Sequence, residues 1–283
     1  MKIAFQGIAG ANSHLACLQF YPQSINQPYQ TFEEVFLAVQ NQEVNCGLVP
    51  LENSYAGRVA EIHHLLQKYQ LNIVAEHFLT VNHQLAGVQG AKIADITTAI
   101  SHPQALMQCQ NFLQKLNIAK QESINTAVGA ELVFQHHKQT GQKNLAAICS
   151  HFAIKHYNLQ LLAENIQDAK EQNMTIFIAI AKIQPEIDFT AKPSITSLFF
   201  TIRNIPGALY KALGGFATNN VGIVKLESYI PGGVSKQARF FISIHGHPQQ
   251  QNVRLALEEL GFFSQEVKLL GIYYADKIGR AHV

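Results

Sequence analysis

The sequence predicts a two-domain α/β protein, in which a two-lobed α/β unit over residues 1–183 precedes a compact βαββαβ domain over 195–275. Three observations carry this. Apolar strand-like runs alternate with helical patterns from Ile3 to about Lys182, which argues for parallel or mixed sheets covered by helices. Periodicity is lost between Gln184 and Pro193, where prolines and separated charges mark a linker. The remainder runs strand, helix, strand, strand, helix, strand, the ferredoxin-like order.

Taken in order, Ile3–Phe5 is a short strand leading into a loop at Gln6-Gly7, and Gly10-Ala11-Asn12-Ser13 offers capping side chains before a helical pattern from His14 to Phe20. A helix over Phe32–Val39, a buried strand over Cys46–Leu51, a helix over Ala60–Tyr69 and a strand over Leu71–Leu79 follow. A break at Val81-Asn82-His83 separates a second set. It comprises a strand at Ala99-Ile100, a helix from Gln104 to Leu116, a helix over Ala127–His137 started by Asn125-Thr126, and a strand over Leu145–Ile148. Two such sets predict two lobes with a cleft between them, and Thr175–Ile183 reads as a late strand returning to the first lobe.

In the second domain the strands are Thr196–Arg203, Gly222–Ile230, Gln237–His245 and Glu266–Tyr273, with helices over Gly207–Thr218 and Gln249–Leu260. Leu209, Ala212, Leu213 and Phe216, then Val253, Ala256, Leu257 and Leu260, repeat at i, i+3, i+4, i+7, so each helix buries one stripe on the sheet. Residues Ile278–Val283 continue no pattern and are expected to be a cloning or sequencing-adapter scar outside the fold.

Composition narrows the functional classes. A hydrophobic content of 47% supports real cores, while a net charge of +2 supplies no basic stripe for nucleic acid. Cys17, Cys46, Cys109 and Cys149 lie inside apolar runs without paired spacing, which predicts reduced core thiols and a cytosolic protein. The start reads as a strand rather than a secretion signal, and no apolar run is long enough to span a bilayer. His63-His64 and His136-His137 point in different directions from their helices, and His245 and His247 have no Cys or carboxylate nearby in sequence, so no metal is expected.

Three stretches carry chemistry: Pro50-Leu51-Glu52-Asn53-Ser54 running into Gly57, Ser101-His102-Pro103-Gln104-Ala105-Leu106, and Asn173-Met174-Thr175-Ile176-Phe177. Each sits where an apolar run stops and polar donors begin, the usual ligand position in α/β proteins. The first two are expected to follow a strand and open a helix. Ser101 or His102 can cap the second while Pro103 takes its first position, where a missing NH costs nothing. With Asn12-Ser13 and Asn125-Thr126 these make several helix starts, each carrying roughly half a positive charge, and their convergence would form a pocket for a small carboxylate. Taken singly, Glu52-Asn53-Ser54 also reads as a plain helix cap and Thr175 as an ordinary β-branched strand residue.

In this order the three stretches resemble the motifs of prephenate dehydratase. Asn204-Ile205-Pro206-Gly207-Ala208-Leu209-Tyr210 and Lys225-Leu226-Glu227-Ser228 look like the two effector-binding motifs of its regulatory ACT domain, so the resemblance covers nearly the whole chain. It implies a catalytic part built like a periplasmic binding protein, and a homodimer or homotetramer that needs neither cofactor nor metal. The implied reaction converts prephenate to phenylpyruvate in phenylalanine biosynthesis, with phenylalanine as allosteric effector and no nucleic-acid or membrane partner. Thr175 would hydrogen-bond the leaving oxygen, with Glu52 or His102 as ultimate acid. Ser13, Asn53, Ser54, Ser101, Gln104 and Thr126 would orient two carboxylates, Phe177 would shape the ring pocket, and Asn204, Gly207, Ala208, Leu209, Tyr210, Glu227 and Ser228 would hold the effector.

One departure counts. The family has Thr-Arg-Phe where this chain has Thr175-Ile176-Phe177. That arginine is a natural grip for a substrate carboxylate, and losing such a buried charged bond costs about 2–5 kcal/mol. Arg58 is expected to compensate in part. Ile8 and Asn125, where the family often has Asp, are smaller departures. The alternatives are an arogenate dehydratase and a non-catalytic amino-acid-binding regulator.

Overall fold

The computed structural model describes residues 1–168, 173–229 and 238–276. The chain opens with β1 (Lys2–Gln6), α1 (Asn12–Phe20), β2 (Ile25–Tyr29), α2 (Phe32–Gln40), β3 (Cys46–Asn53), β4 (Gly57–Arg58), α3 (Ala60–Lys68) and β5 (Asn72–Thr80). Next come β6 (Gln84–Gly87), β7 (Thr98–Ser101), α4 (Pro103–Gln108), α5 (Gln110–Lys115), β8 (Ala119–Glu122), α6 (Thr126–Thr140), β9 (Leu145–Cys149), α7 (His151–His156) and β10 (Gln160–Ala163). β11 (Met174–Ala181) then rejoins the first sheet, whose order is β2-β1-β3-β11-β5 with β4 paired to β3. The second sheet runs β10-β6-β9-β7-β8.

The central strands are the ones the pattern makes plain. β1, β7 and β9 are short buried apolar runs with parallel neighbours, as strands covered on both faces must be. β2 and β8 are absent from the pattern because they lie at sheet edges, are mostly exposed, and in β2 include Pro28, which only an edge tolerates.

Two expectations change. The single helix over 104–116 is two helices broken at Cys109, because the 168 backbone intrudes: the Asp168 NH bonds the Gln108 carbonyl at 2.7 Å, and its carboxylate accepts the Asn111 NH at 3.0 and 3.1 Å. The first motif opens a hairpin and not a helix. Asn53 Oδ1 accepts the Tyr55 and Ala56 NH groups at 3.1 and 3.0 Å, closing a turn that reverses β3 into β4, with Gly57 in the left-handed region at φ 72°.

α6 is capped by Asn125, whose Oδ1 accepts the Val128 NH at 2.8 Å. One turn on, Gly129 lies flat on the end of β7: a Cβ there would stand 2.7 Å from the Ile100 carbonyl oxygen. This close approach brings the start of α6 beside the start of α4.

The C-terminal elements are β12 (Ser194–Ile202), α8 (Ala208–Thr218), β13 (Ile223–Tyr229), β14 (Arg239–His245), α9 (Gln251–Phe263) and β15 (Ser264–Tyr274). They form an antiparallel sheet ordered β13-β14-β12-β15, the expected ferredoxin-like arrangement. Leu198, Phe200, Phe240 and Ile242 of the sheet pack with Phe216, Ala256 and Leu260 of the helices. Two compact units result: Met1–Leu65 with Phe78–Phe177, and Leu66–His77 with the chain from Ile178 onward. Ile230, Gln237 and the 278–283 tail lie outside the described residues. All four cysteines are buried thiols, and burial pushes Cys17, Cys109 and Cys149 up to about 12, out of reactive range.

Candidate active site

A cavity of about 250 Å³ lies within the first unit, where chain ends of both sheets meet. Asn12 and Ser13 come from the start of α1, His102 and Gln104 from the start of α4, and Asn125 and Thr126 from the start of α6. α1 has no side-chain cap, so its first-turn NH groups lack both a helical carbonyl and a capping oxygen. β11 supplies Thr175 and Phe177, which share a face at the two-residue strand period, while Ile176 points to the other face and does not line the wall.

Asn53 is the hub. Besides closing its own turn through Oδ1, it donates from Nδ2 to Asn173 Oδ1 at 2.7 Å and to Thr175 Oγ1 at 3.0 Å. Asn173 Nδ2 donates to Gln108 Oε1 at 3.0 Å, and His83 Nε2 stands 2.6 Å from the same oxygen. Three members of this hydrogen-bond chain are buried, with Thr175 9%, Asn173 5% and His83 4% exposed, while Asn53 and Gln108 are half-buried.

His102 Nδ1 accepts the Gln104 NH at 3.3 Å, which fixes a neutral ring, and burial lowers its pKa in the same sense. A neutral imidazole is a weak acid at pH 7, so His102 suits orientation better than protonation. Glu52 stands opposite Arg58 in the β3–β4 ladder, and neither lines the cavity. Ser54 clamps the loop to β11, its NH on the Met174 carbonyl at 2.9 Å and its Oγ accepting the Met174 NH at 3.0 Å. Ser101, expected to touch a carboxylate, is 0% exposed and gives its hydroxyl to the Ile148 carbonyl at 2.6 Å. The wall thus gathers Ser13, Asn53, His102, Gln104, Thr126, Thr175 and Phe177, and leaves out Glu52, Ser54, Arg58 and Ser101.

Sequence reasoning missed His83 and Gln108, both on the wall. Gln108 was within reach: it lies four residues after Gln104, on the same helical face. His83 had no such signal, because it sits in an unpatterned crossing between sheets.

Ser101→Ala removes a buried hydrogen bond and lowers stability by about 1 kcal/mol, some 2–4 °C in Tm, without a matching rise in KM. Calorimetry beside steady-state kinetics checks both halves. A second expectation concerns acid. Burial lowers the pKa of His83 and His102, and likewise of His14, His77 and His247, below the ordinary 6.5. Below that value the unfolded chain binds more protons than the folded one, so stability is lost as pH falls. Thermal melts from pH 7.5 to 5.5 are expected to show Tm falling, and a flat profile would contradict it.

The two motifs expected to bind an effector lie in the second unit. Gly207 precedes α8 in the left-handed region at φ 70°, Ala208 is buried, Asn204 is exposed, Leu209 is half-buried, and Tyr210 is 84% exposed. Ser228 is exposed on edge strand β13, where Lys225 and Glu227 pair at 2.9 Å. β14 lies between β13 and β12, so one chain does not set the two motifs side by side in its sheet.

Residues 3–185 match the family model for prephenate dehydratase. The chain belongs to the prephenate dehydratase family. Every residue of the cavity wall falls inside the matched span. Prephenate dehydratases are lyases, and this chain is 37% identical to a bifunctional N-acyl-homoserine lactone acylase/prephenate dehydratase of Komagataeibacter europaeus, over 98% of this chain and 97% of that one. It is 36% identical to arogenate dehydratase/prephenate dehydratase 1, chloroplastic, of Arabidopsis thaliana, over 98% of this chain and 73% of that one. A solved prephenate dehydratase from Arthrobacter aurescens, in complex with L-Phe, superposes with a TM-score of 0.85 at 25% identity, over 97% of this chain and 90% of that one. Among the described residues no helix is long and apolar enough to cross a membrane, and no group of three or more His, Cys, Asp or Glu could hold a metal ion.

Proposed function

We propose that the cavity binds prephenate and releases phenylpyruvate, carbon dioxide and water. The observation that carries this is the Thr175 hydroxyl on the wall, its oxygen already accepting from Asn53 at 3.0 Å, among three helix starts. The ring carboxylate leaves as carbon dioxide, its bonding pair enters the ring, and the ring becomes aromatic as the C–O bond breaks. The hydroxyl departs as hydroxide hydrogen-bonded to Thr175 and takes up a proton from solvent to become water. Aromatisation supplies the driving force, so the protein must hold two carboxylates in place and donate a hydrogen bond to the departing oxygen. Ser13, Gln104 and Thr126 take the first task and Thr175 the second; Phe177 packs against the ring.

Neutral donors suit the reacting carboxylate better than an arginine. A cation on the group that must lose its charge stabilises the ground state more than the transition state. Ile176 therefore does not argue for a dead enzyme, and Ile176→Arg is expected to leave kcat/KM within about threefold, since the new side chain extends from the face opposite Thr175. A large rescue by that substitution would favour the regulator.

Catalysis is assigned to 1–183 and regulation to 195–275. Phenylalanine inhibits by binding where the Asn204–Tyr210 turn of one copy meets Glu227 and Ser228 of another, in a homodimer or homotetramer. The strand order, which keeps the two motifs apart within one chain, supports this. The test is phenylpyruvate formation by purified protein with and without phenylalanine. The Arabidopsis relative carries both substrate names, so arogenate is run in parallel, and a higher rate on it moves the assignment. Background rates on both, with a melting temperature still raised by phenylalanine, would leave only a sensor.

A further inference from the structure

The polarity of the hydrogen-bond chain in the cavity is fixed link by link. Backbone NH groups can only donate, so the Asn53 atom that receives Tyr55 and Ala56, at 3.1 and 3.0 Å, is its oxygen. The other end of that amide is then the NH₂ group, and what it meets at 2.7 and 3.0 Å, on Asn173 and Thr175, must accept. With its oxygen turned to Asn53, Asn173 presents NH₂ to Gln108 at 3.0 Å, which makes that Gln108 atom the oxygen. An oxygen cannot donate, so His83 Nε2, 2.6 Å away, must carry a proton.

We propose that His83 is a positioning residue for the dehydration. Its Nε2–H pins the Gln108 amide, and through Asn173 and Asn53 this holds the Thr175 hydroxyl as an acceptor on the protein side. The Thr175 proton is thereby left for the departing hydroxyl of the substrate. Without the His83 donor, Gln108 can turn its NH₂ toward the place of the ring. Asn173 can then flip, and its NH₂ faces the Asn53 NH₂, whose direction the Tyr55 and Ala56 NH groups keep, so the clash pushes the Asn53 amide away from Thr175. The Thr175 proton is no longer aimed. The catalytic part of this inference rests on the reading of the cavity as a dehydratase site; the proton position on His83 does not.

Two measurements test it. In uniformly ¹⁵N-labelled protein at pH 8, long-range ¹H–¹⁵N spectra should show His83 as the neutral Nε2–H tautomer, its signals assigned by their loss in His83→Gln. An Nδ1–H tautomer or a cationic ring overturns the proposal. In kinetics, His83→Leu should lower kcat about tenfold or more, with KM within about twofold. His83→Gln, whose amide nitrogen can take the place of Nε2, should stay within about threefold of the parent. Equal losses in both variants, a loss confined to KM, or no loss in His83→Leu would overturn it. Should the parent dehydrate neither prephenate nor arogenate, the functional reading fails, and the tautomer alone decides on the proton position.

Discussion

Thr175→Ala lowers kcat for phenylpyruvate formation by about 10²–10³-fold and leaves KM within about threefold, because the hydroxyl acts where the C–O bond breaks and hardly at all in the ground state. Thr175 lies in β11, 9% exposed, and its Oγ1 already holds the Asn53 NH at 3.0 Å. Its remaining hydrogen is the one free to point at a departing oxygen. Removing it leaves the carboxylate contacts intact and takes away a transition-state bond of about 3–4 kcal/mol. Thr175→Ser keeps the hydroxyl but loses the β-branch that restricts its rotamers, so it is expected between parent and Ala. Thr175→Val keeps the shape without the donor and should match Ala. If instead KM rises while kcat holds, Thr175 binds substrate and the hydrogen bond to the departing oxygen comes from elsewhere.

Asn53→Asp is expected to be as damaging, for a different reason. The carboxylate keeps an oxygen for the Tyr55 and Ala56 NH groups, so the turn survives. At the other end a donor becomes an acceptor, 2.7 Å from Asn173 Oδ1 and 3.0 Å from Thr175 Oγ1. Thr175 then turns its proton onto the new carboxylate, and kcat falls by about 10²-fold or more. Two facing acceptors in a buried site also cost about 1–3 kcal/mol of stability. Protonating that carboxylate restores one O–H donor, so the rate relative to parent should rise as pH is lowered from 8 to 6. A pH-independent deficit would mean that the damage lies in the turn and not in the polarity at Thr175. Asn53→Ala, which leaves the Tyr55 and Ala56 NH groups without their acceptor, provides the comparison.

Much of this could be seen in the chain before folding. Helix starts announce themselves through local chemistry: Asn125 before Thr126, Pro103 after His102. The C-terminal strands and helices from β12 to β15 were legible because both helices carry a full apolar stripe packed on the sheet, from Leu209 to Phe216 and from Val253 to Leu260. The site was less legible where residues distant in sequence decide the outcome. Ser101 looks like a pocket donor until β9 brings the Ile148 carbonyl within 2.6 Å. The break at Cys109 is imposed from Asp168, and nothing within 104–116 foretells it. The Asn53 turn could have been found. Asn53-Ser54 with Gly57 shortly after is a turn signature, outweighed here by the nearby helical pattern from Ala60.

Gly129 sets a ruler inside the enzyme. Because its backbone rests on the Ile100 carbonyl, with room for no side-chain carbon between them, the distance from the His102 turn to Thr126 is set by main chain against main chain, which rotamer changes cannot adjust. In the proposed reading, a substrate whose anionic groups are spaced differently finds no slack along that edge. Any widening of substrate range in this scaffold must therefore come from the opposite wall, at β11 and the Asn53 hairpin, where side chains rather than backbones define the gap.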